Sequence, residues 1–289
     1  MNSYKEKLFR AITYTASLFV LVFLLSIIIS IFKEGIPIFR AIGIKDFLAG
    51  LAWYPTHEPP EFGVATLIIG SLIVTLGALV IAIPLGVGAA IYIAELASFK
   101  VKEIAKPVIE LLAGIPSVVF GLFGMAFLAP AIRQWFGLDS GLNIFSASII
   151  LGIMIIPIIT SMSEDALTTV PKNLREASLA LGANRWETIT KVVVPAAKSG
   201  IIGSILLGFG RAIGETMVVL MVAGGSAQIP HNIFDSVRPM TSAIAAEMGE
   251  TVVGDLHYNA LFALAMVLFV ITFVSNLVTE LVFLKRVKR

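Results

Sequence analysis

Two charged residues sit where charge is expensive. Arg211 and Glu215 lie in the middle of the apolar run GSILLGFGRAIGETMVVLMVAGG, and each ionised side chain at the centre of a membrane span costs about 2.5–3.5 kcal/mol on insertion scales. Their spacing places both on one helical face, with Arg before Glu, the less favourable order for an isolated helix. Two chemistries fit. Arg211 contacts an anionic solute in transit while Glu215 orients it and offsets its charge between passages, or the two form a permanent ion pair that locks helices together. Gly203, Gly208, Gly210 and Gly214 keep this helix thin, so a neighbouring helix or a solute can approach its backbone.

A second anomaly is AGIPSVVFGLFG, from Ala113 to Gly124. Pro116 cannot donate to the carbonyl of Leu112 and is expected to kink its helix. The freed polar groups must then be satisfied within protein or in a watery cavity. Ser117 stands beside that break. It is either part of a packing kink, with Gly121 and Gly124 as close helix contacts, or part of a pathway lining.

The third stretch, EASLALGANRWETITKVVVP from Glu176 to Pro195, is polar between apolar runs. Pro171 is tolerated in the first turn of a helix, and Leu174, Ala177, Ser178 and Leu181 recur at helical spacing to give one narrow apolar face. Gly182 supplies the positive φ of a helix end. Asn184 with Glu187 reads as the start of a second helix, striped by Trp186, Ile189 and Val193, and Pro195 marks the turn into the next run. The product is a short helix, a corner and a second helix; an amphipathic helix lying on the membrane surface is the plainer alternative.

These residues need elements to hold them. Hydrophobic residues make up 57% of the 289-residue chain and charged residues 14%, with mean hydropathy +0.95, outside the range of soluble domains. The chain is therefore expected to be an all-α integral membrane protein, one membrane domain over 1–289 without linker or internal repeat. Six runs are long enough to cross about 30 Å of hydrocarbon: 8–32, 64–94, 107–130, 144–163, 200–223 and 259–284. The first has too long an apolar part for a signal peptide, and Lys33, Glu34 and Gly35 come after it without a small-residue cleavage pattern.

Lys and Arg set the orientation. With the N-terminus inside, fifteen of them fall on inner segments, among them Lys5, Lys7, Lys100, Lys285, Arg286, Lys288 and Arg289, and five on outer ones. Both termini and the loop 164–199 are then cytoplasmic, and the terminal LKRVKR serves as an orientation signal that can also touch anionic lipid. Nine carboxylates on the outer segments against those five bases make an acidic mouth, which does not steer anions. For an anionic cargo, delivery by a separate binding protein is then the better expectation than capture from bulk. In the first outer loop, 33–63, Trp53, Tyr54 and Phe62 are expected at headgroup level.

Other chemistries are excluded by residue type. The absence of cysteine removes disulfides, thiolate metal sites and thiol nucleophiles. His57, His231 and His257 are isolated in sequence, so no metal site is expected. There is no phosphate loop ending in Gly-Lys-Ser or Gly-Lys-Thr, no His-Glu-x-x-His and no Gly-x-Ser-x-Gly, which argues against an ATPase or an intramembrane hydrolase.

The loop around Glu176 resembles the cytoplasmic EAA loop of ABC importer permeases. Glu176, Ala177, Ser178, Gly182, Val192, Val194 and Pro195 stand at that family's spacing, with Ser for the second Ala and Val for the Ile and Leu. The resemblance implies a type I importer permease of six helices, whose coupling helix, including Ala183 after the Gly, docks on an ATPase subunit. GIPSVVFGLFG and RAIGETM resemble the phosphate-transport permeases, and Trp53-x-Pro55, Phe62-Gly63, Pro84-Leu85-Gly86 and AIYIAE from Ala90 resemble their PstC-type rather than PstA-type subunits. That closer resemblance implies a heterodimer with a PstA-like permease, two ATP-binding subunits that hold ATP and Mg²⁺, an extracytoplasmic phosphate-binding protein, and a bacterial or archaeal inner membrane. It also implies that Arg211 and Glu215 match an intramembrane charged pair, with Pro116 and Ser117 beside the pathway. This chain would carry no cofactor and bind no nucleic acid. Molybdate or sulfate as cargo, and a proton-coupled carrier in which Glu215 titrates, remain alternatives.

Overall fold

The computed structural model describes residues 3–287, and side chains from 6 to 278. Lys5 and the basic cluster Lys285, Arg286, Lys288 and Arg289 lie outside the described side chains. Among the described residues six helices are long and apolar enough to cross a membrane: Glu6–Ile42, Ala65–Leu96, Ser117–Phe136, Ile144–Thr168, Arg185–Ile213 and Leu256–Val278.

The centre is a pair of helices, α3 (Ala65–Ile91) and α7 (Ile144–Thr168). They approach closely because small residues face the partner: a Cβ on Gly77 would meet Ser148 Oγ at 2.4 Å, one on Gly86 would meet Ile159 Cγ2 at 2.9 Å, and one on Gly152 the Ala78 carbonyl at 3.1 Å. Packing of this kind holds helices together where lipid is as apolar as the side chains. Val74, Ala78, Ala82, Leu151 and Ile155 fill the seam. A second cluster of Ile38, Phe47, Trp53, Phe62, Met240 and Leu264 joins α1 (Ser3–Ile42) and α2 (Ile44–Ala49) to α13 (Leu256–Val287). A further cluster of Ala90, Leu167, Val193 and Ala197 ties the opposite ends of the helices together.

The first helix continues through Lys33, Glu34 and Pro37 to Ile42, so the outer loop starts ten residues later than the apolar run ends. That loop pairs β1 (Trp53–Tyr54) with β2 (Glu61–Phe62). Trp53 and Phe62 are buried at 1% and 5% exposure, in an edge-to-face pair. They belong to the protein core and not to a headgroup belt; of the three aromatics only Tyr54 is exposed.

Two spans differ from the apolar runs because backbone breakers, and not hydropathy, end helices. Residues 107–113 belong to α4 (Phe99–Ala113), which buries no residue. Gly114, pre-proline Ile115 and Pro116 then stop the helix, since the residue before proline is pushed out of helical ψ. Pro116 produces a break where a kink was expected. The span restarts as α5 (Ser117–Phe123), passes a π turn at Gly124–Leu128 and ends in α6 (Ala129–Phe136).

The fifth span begins at Arg185, not 200. α9 (Arg185–Thr188), a π turn at Ile189–Val193 and α10 (Val194–Ile213) form one continuous rod. Pro195 lies within its first α-helical turn after the π turn and makes no corner. At the other end the rod stops at Gly214, and α11 (Met217–Val222) is a separate half-helix. Two further short helices, α8 (Lys172–Ala180) and α12 (Met240–Glu247), lie outside the spans.

Candidate functional site

The break at Gly214 decides the geometry of the intramembrane pair. Arg211 is in the last turn of α10, and Glu215 is in the gap before α11. Arg211 Nη1 donates to Glu215 Oε2 at 2.6 Å. The Glu215 side chain is 2% exposed and the Arg211 side chain 44%. Glu215 Oε1 also accepts from the Met217 and Val218 amides at 3.1 and 3.4 Å, and Thr241 Oγ1 donates to its carbonyl at 2.6 Å. Glu215 therefore caps α11, using acceptors that satisfy amides left orphaned by the break. The pair is sealed on its carboxylate side and open on its guanidinium side.

The two anomalous stretches meet. α5 packs on α11: a Cβ on Gly121 would lie 2.7 Å from Met221 Sδ and 3.3 Å from the Met217 carbonyl, and one on Gly124 would lie 2.8 Å from Val222. Gly121 and Gly124 are thus close helix contacts, and Ser117, half-buried, stands one turn before Gly121 with exposed Pro116 behind it. In α10 Gly208 meets a neighbour closely, at 3.0 Å from Ile159, while Gly210 and, just past the helix end, Gly214 have nothing nearer than 3.5 Å. Gly200, 2.3 Å from the Ala166 Cβ, is a close contact that hydropathy did not single out.

The polar loop folds as a rigid corner. Gly182 has φ of 89°; its amide donates to the Leu179 carbonyl at 3.0 Å and the Ala183 amide to the Ser178 carbonyl at 3.2 Å, the paired bonds of a Schellman end. Pro171 precedes α8 as its cap rather than entering its first turn. Asn184 and Glu187 form a reciprocal capping box at the start of α9, and the Ser178 and Thr188 hydroxyls, 3.0 Å apart, tie the two arms.

Exposure separates its residues. Glu176 and Ala177 are exposed, Ser178 and Ala183 half-buried, and Gly182 and Pro195 exposed. α8 buries no residue. Ile189 and Val193 are buried as striped, but Trp186 is 62% and Leu181 89% exposed, so the corner presents apolar side chains outward.

Cation pairings brought together only by tertiary structure surround this loop. Arg175 Nη2 lies 2.6 Å from Glu95 Oε1, and Lys106 Nζ bridges Glu164 and Asp165 at 3.0 and 2.5 Å. These two carboxylates, Asp165 first, hold the Lys106 ammonium above the usual lysine range. At the opposite end of the bundle Glu247 receives the Trp53 indole at 3.0 Å, Arg238 at 2.6 Å and His257 at 2.9 Å. His257 is therefore a partner in that polar cluster and not isolated.

The model for the family described as "Binding-protein-dependent transport system inner membrane component" matches residues 82–288. The chain belongs to this family. It is a multi-pass inner-membrane component, and the relatives are permease subunits. A probable ABC transporter permease protein, YqgH of Bacillus subtilis, is 42% identical over 86% of this chain and 82% of its own. The phosphate transport system permease protein PstC of Mesorhizobium japonicum is 36% identical over 93% of this chain and 86% of its own; that of Pasteurella multocida is 34% identical over 98% and 93%. A solved bacterial alginate ABC transporter, in complex with its alginate-bound periplasmic protein, aligns with TM-score 0.65 at 16% identity, covering 96% of this chain and 93% of that one. That likeness establishes the ABC importer permease fold.

Proposed function

We propose that this chain is the permease subunit of an ATP-driven importer of inorganic phosphate and forms part of the translocation pathway by alternating access. The observation that carries the cargo is Arg211: a half-exposed guanidinium, held at a helix break by a buried carboxylate, keeps donors available for an oxyanion. The relatives named as phosphate permeases support the same cargo. Half-helices that meet at mid-membrane are a recurrent way to build a solute site, and α5 and α11, with Pro116 and Ser117 at the start of the former, fit that form.

The corner at Glu176, Ala177, Ser178, Gly182 and Ala183 acts as the coupling knob. Its exposed Leu181 and Trp186 are suited to a groove on an ATP-binding subunit. The assembly comprises a PstA-like second permease, two ATP-binding subunits carrying ATP and Mg²⁺, and an extracytoplasmic phosphate-binding protein, with both termini of this chain cytoplasmic. ATP binding closes the ATPase pair and drives the corner, the spans rock from inward to outward facing, phosphate delivered by the binding protein passes Arg211, and hydrolysis resets the assembly.

The test is ATP-dependent uptake of labelled phosphate by the whole assembly in vesicles, with unlabelled molybdate and sulfate as competitors. Uptake that survives ATP depletion and fails when the proton gradient collapses would overturn the reading in favour of a proton-coupled carrier. Competition by molybdate or sulfate at lower concentration than phosphate would move the cargo to those oxyanions.

A further inference from the structure

We infer that Glu95 and Arg175 are positioning residues of the coupling step, forming the joint through which the corner moves the second and fourth spans. The inference rests on the importer function proposed above. It starts from a deficit: α8, the arm of the corner that carries Glu176, buries no residue. Apolar burial therefore cannot fix its angle to the membrane domain. A lever needs a stiff root, and here the root is polar.

Arg175 supplies it with all three guanidinium nitrogens. Nε lies 3.3 Å from both Glu95 oxygens and Nη2 2.6 Å from Oε1. Nη1 donates to the Val170 carbonyl at 2.5 Å and Nη2 to the Leu167 carbonyl at 2.9 Å. Leu167 is in the last turn of α7, where carbonyls lack helical partners. One side chain thus grips the cytoplasmic ends of two spans. The pair is well shielded, at 21% exposure for the Arg175 side chain and 11% for Glu95, so solvent screening weakens it less than a surface pair.

Glu95 is itself placed by a local irregularity. It lies in the π turn Tyr92–Leu96 that ends the second span, a form that re-aims side chains and frees carbonyls. Those carbonyls are claimed from outside the helix: Lys102 Nζ donates to the Ala94 carbonyl at 2.5 Å, and Arg185 Nη2 to the Glu95 carbonyl. Cations at a helix C-terminus also complement its dipole. Since Arg185 begins the fifth span, both arms of the corner are pinned to the end of span two, on either side of Gly182.

The test uses the complete assembly in proteoliposomes with Glu95→Gln, Glu95→Asp and Arg175→Ala. Phosphate moved per ATP hydrolysed and ATPase stimulation by the loaded binding protein are read together. Glu95→Gln and Arg175→Ala are expected to lower phosphate moved per ATP about tenfold, within the span by which contacts along a coupling route alter linkage, at normal assembly. Glu95→Asp, which keeps the charge, is expected to restore most of it. Wild-type stoichiometry in assembled Glu95→Gln would overturn the inference.

A second readout is independent of transport. The chain has no cysteine, so spin labels at Asn173→Cys in α8 and Leu85→Cys in span two report the angle of the arm. A broader distance distribution in Glu95→Gln than in the parent, narrowed again in Glu95→Asp, supports the joint, and an unchanged distribution overturns it. Broadening alongside a wild-type assembly that moves no phosphate with ATP would leave the joint standing and sink the importer function.

Discussion

Arg211–Glu215 and Arg175–Glu95 share the same 2.6 Å separation, yet they are built for opposite ends. Arg211–Glu215 is local, four residues apart across a helix break, and asymmetric: the carboxylate is sealed and the guanidinium is 44% exposed. Arg175–Glu95 joins residues eighty apart and is shielded on both sides, with every guanidinium nitrogen engaged. Ion-pair distance alone says little about role. Donor capacity left over after pairing separates a residue that can meet a solute from one that fixes an angle.

The sharpest way to break this contrast is Arg211→Ala. If its spare donors meet phosphate, uptake falls about 10- to 150-fold, the factor given by losing a charged hydrogen bond of about 1.5–3 kcal/mol. Membrane abundance is scored in the same vesicles, because the variant leaves the sealed Glu215 carboxylate without its cation. Uptake unchanged at equal abundance would return the pair to a structural lock.

Gly182→Val probes the corner that Arg175 anchors. A β-branched residue at φ of 89° is strained by about 1–2 kcal/mol, so the Schellman end loosens while space is no obstacle, with no atom within 4 Å of a new Cβ. ATP hydrolysis is expected to continue while phosphate moved per ATP declines severalfold. Tight coupling in this variant, measured in the same vesicles, would mean that the corner need not be rigid.

Glu215→Ala should act mainly on stability. It removes the cap of α11, a loss of about 0.5–2 kcal/mol, and thermal denaturation of the purified assembly should show a lower midpoint than wild type. An unchanged midpoint would contradict the assignment of Glu215 as a cap.

The smallest effect lies in the turn at residues 231–235. The His231 amide, then that of Asn232, donates to Asp235 at 2.7 and 2.8 Å and holds its carboxyl below the ordinary 3.8. A depressed folded value means that the turn is stabilised above pH about 3.8 and loses that support as pH falls through the lower folded value. Amide exchange at residues 231–235 should accelerate only in that acid window, and acceleration starting near neutral pH would assign the protection elsewhere.

Much of the architecture was written locally. Apolar runs located six spans, since hydrocarbon thickness fixes how many helical residues are needed. Gly182, Asn184 and Glu187 specified their caps within five residues of chain, and Gly121 and Gly124 announced close contacts through the absence of a side chain. Span ends were less legible: Pro116 and Gly214 stopped helices inside apolar sequence, while the rod from Arg185 ran on through polar sequence and Pro195. Hydropathy measures solvent preference and is blind to whether a backbone amide finds its partner. Likewise Trp53 and Trp186 exchange their expected settings, one buried under Phe62 and the other exposed, because the neighbours that cover an aromatic come from elsewhere in the chain.

By itself, then, the sequence determined an all-helical membrane chain, its helix–glycine–helix corner and an expensive charged pair, each through interactions spanning a few residues. Only the tertiary structure decided that Glu215 is spent as a cap while Arg211 stays open, and that Glu95 receives Arg175. The second pairing exists because the glycine-lined seam between α3 and α7 sets the ends of those helices side by side, and no local spacing encodes where two distant helix ends will meet.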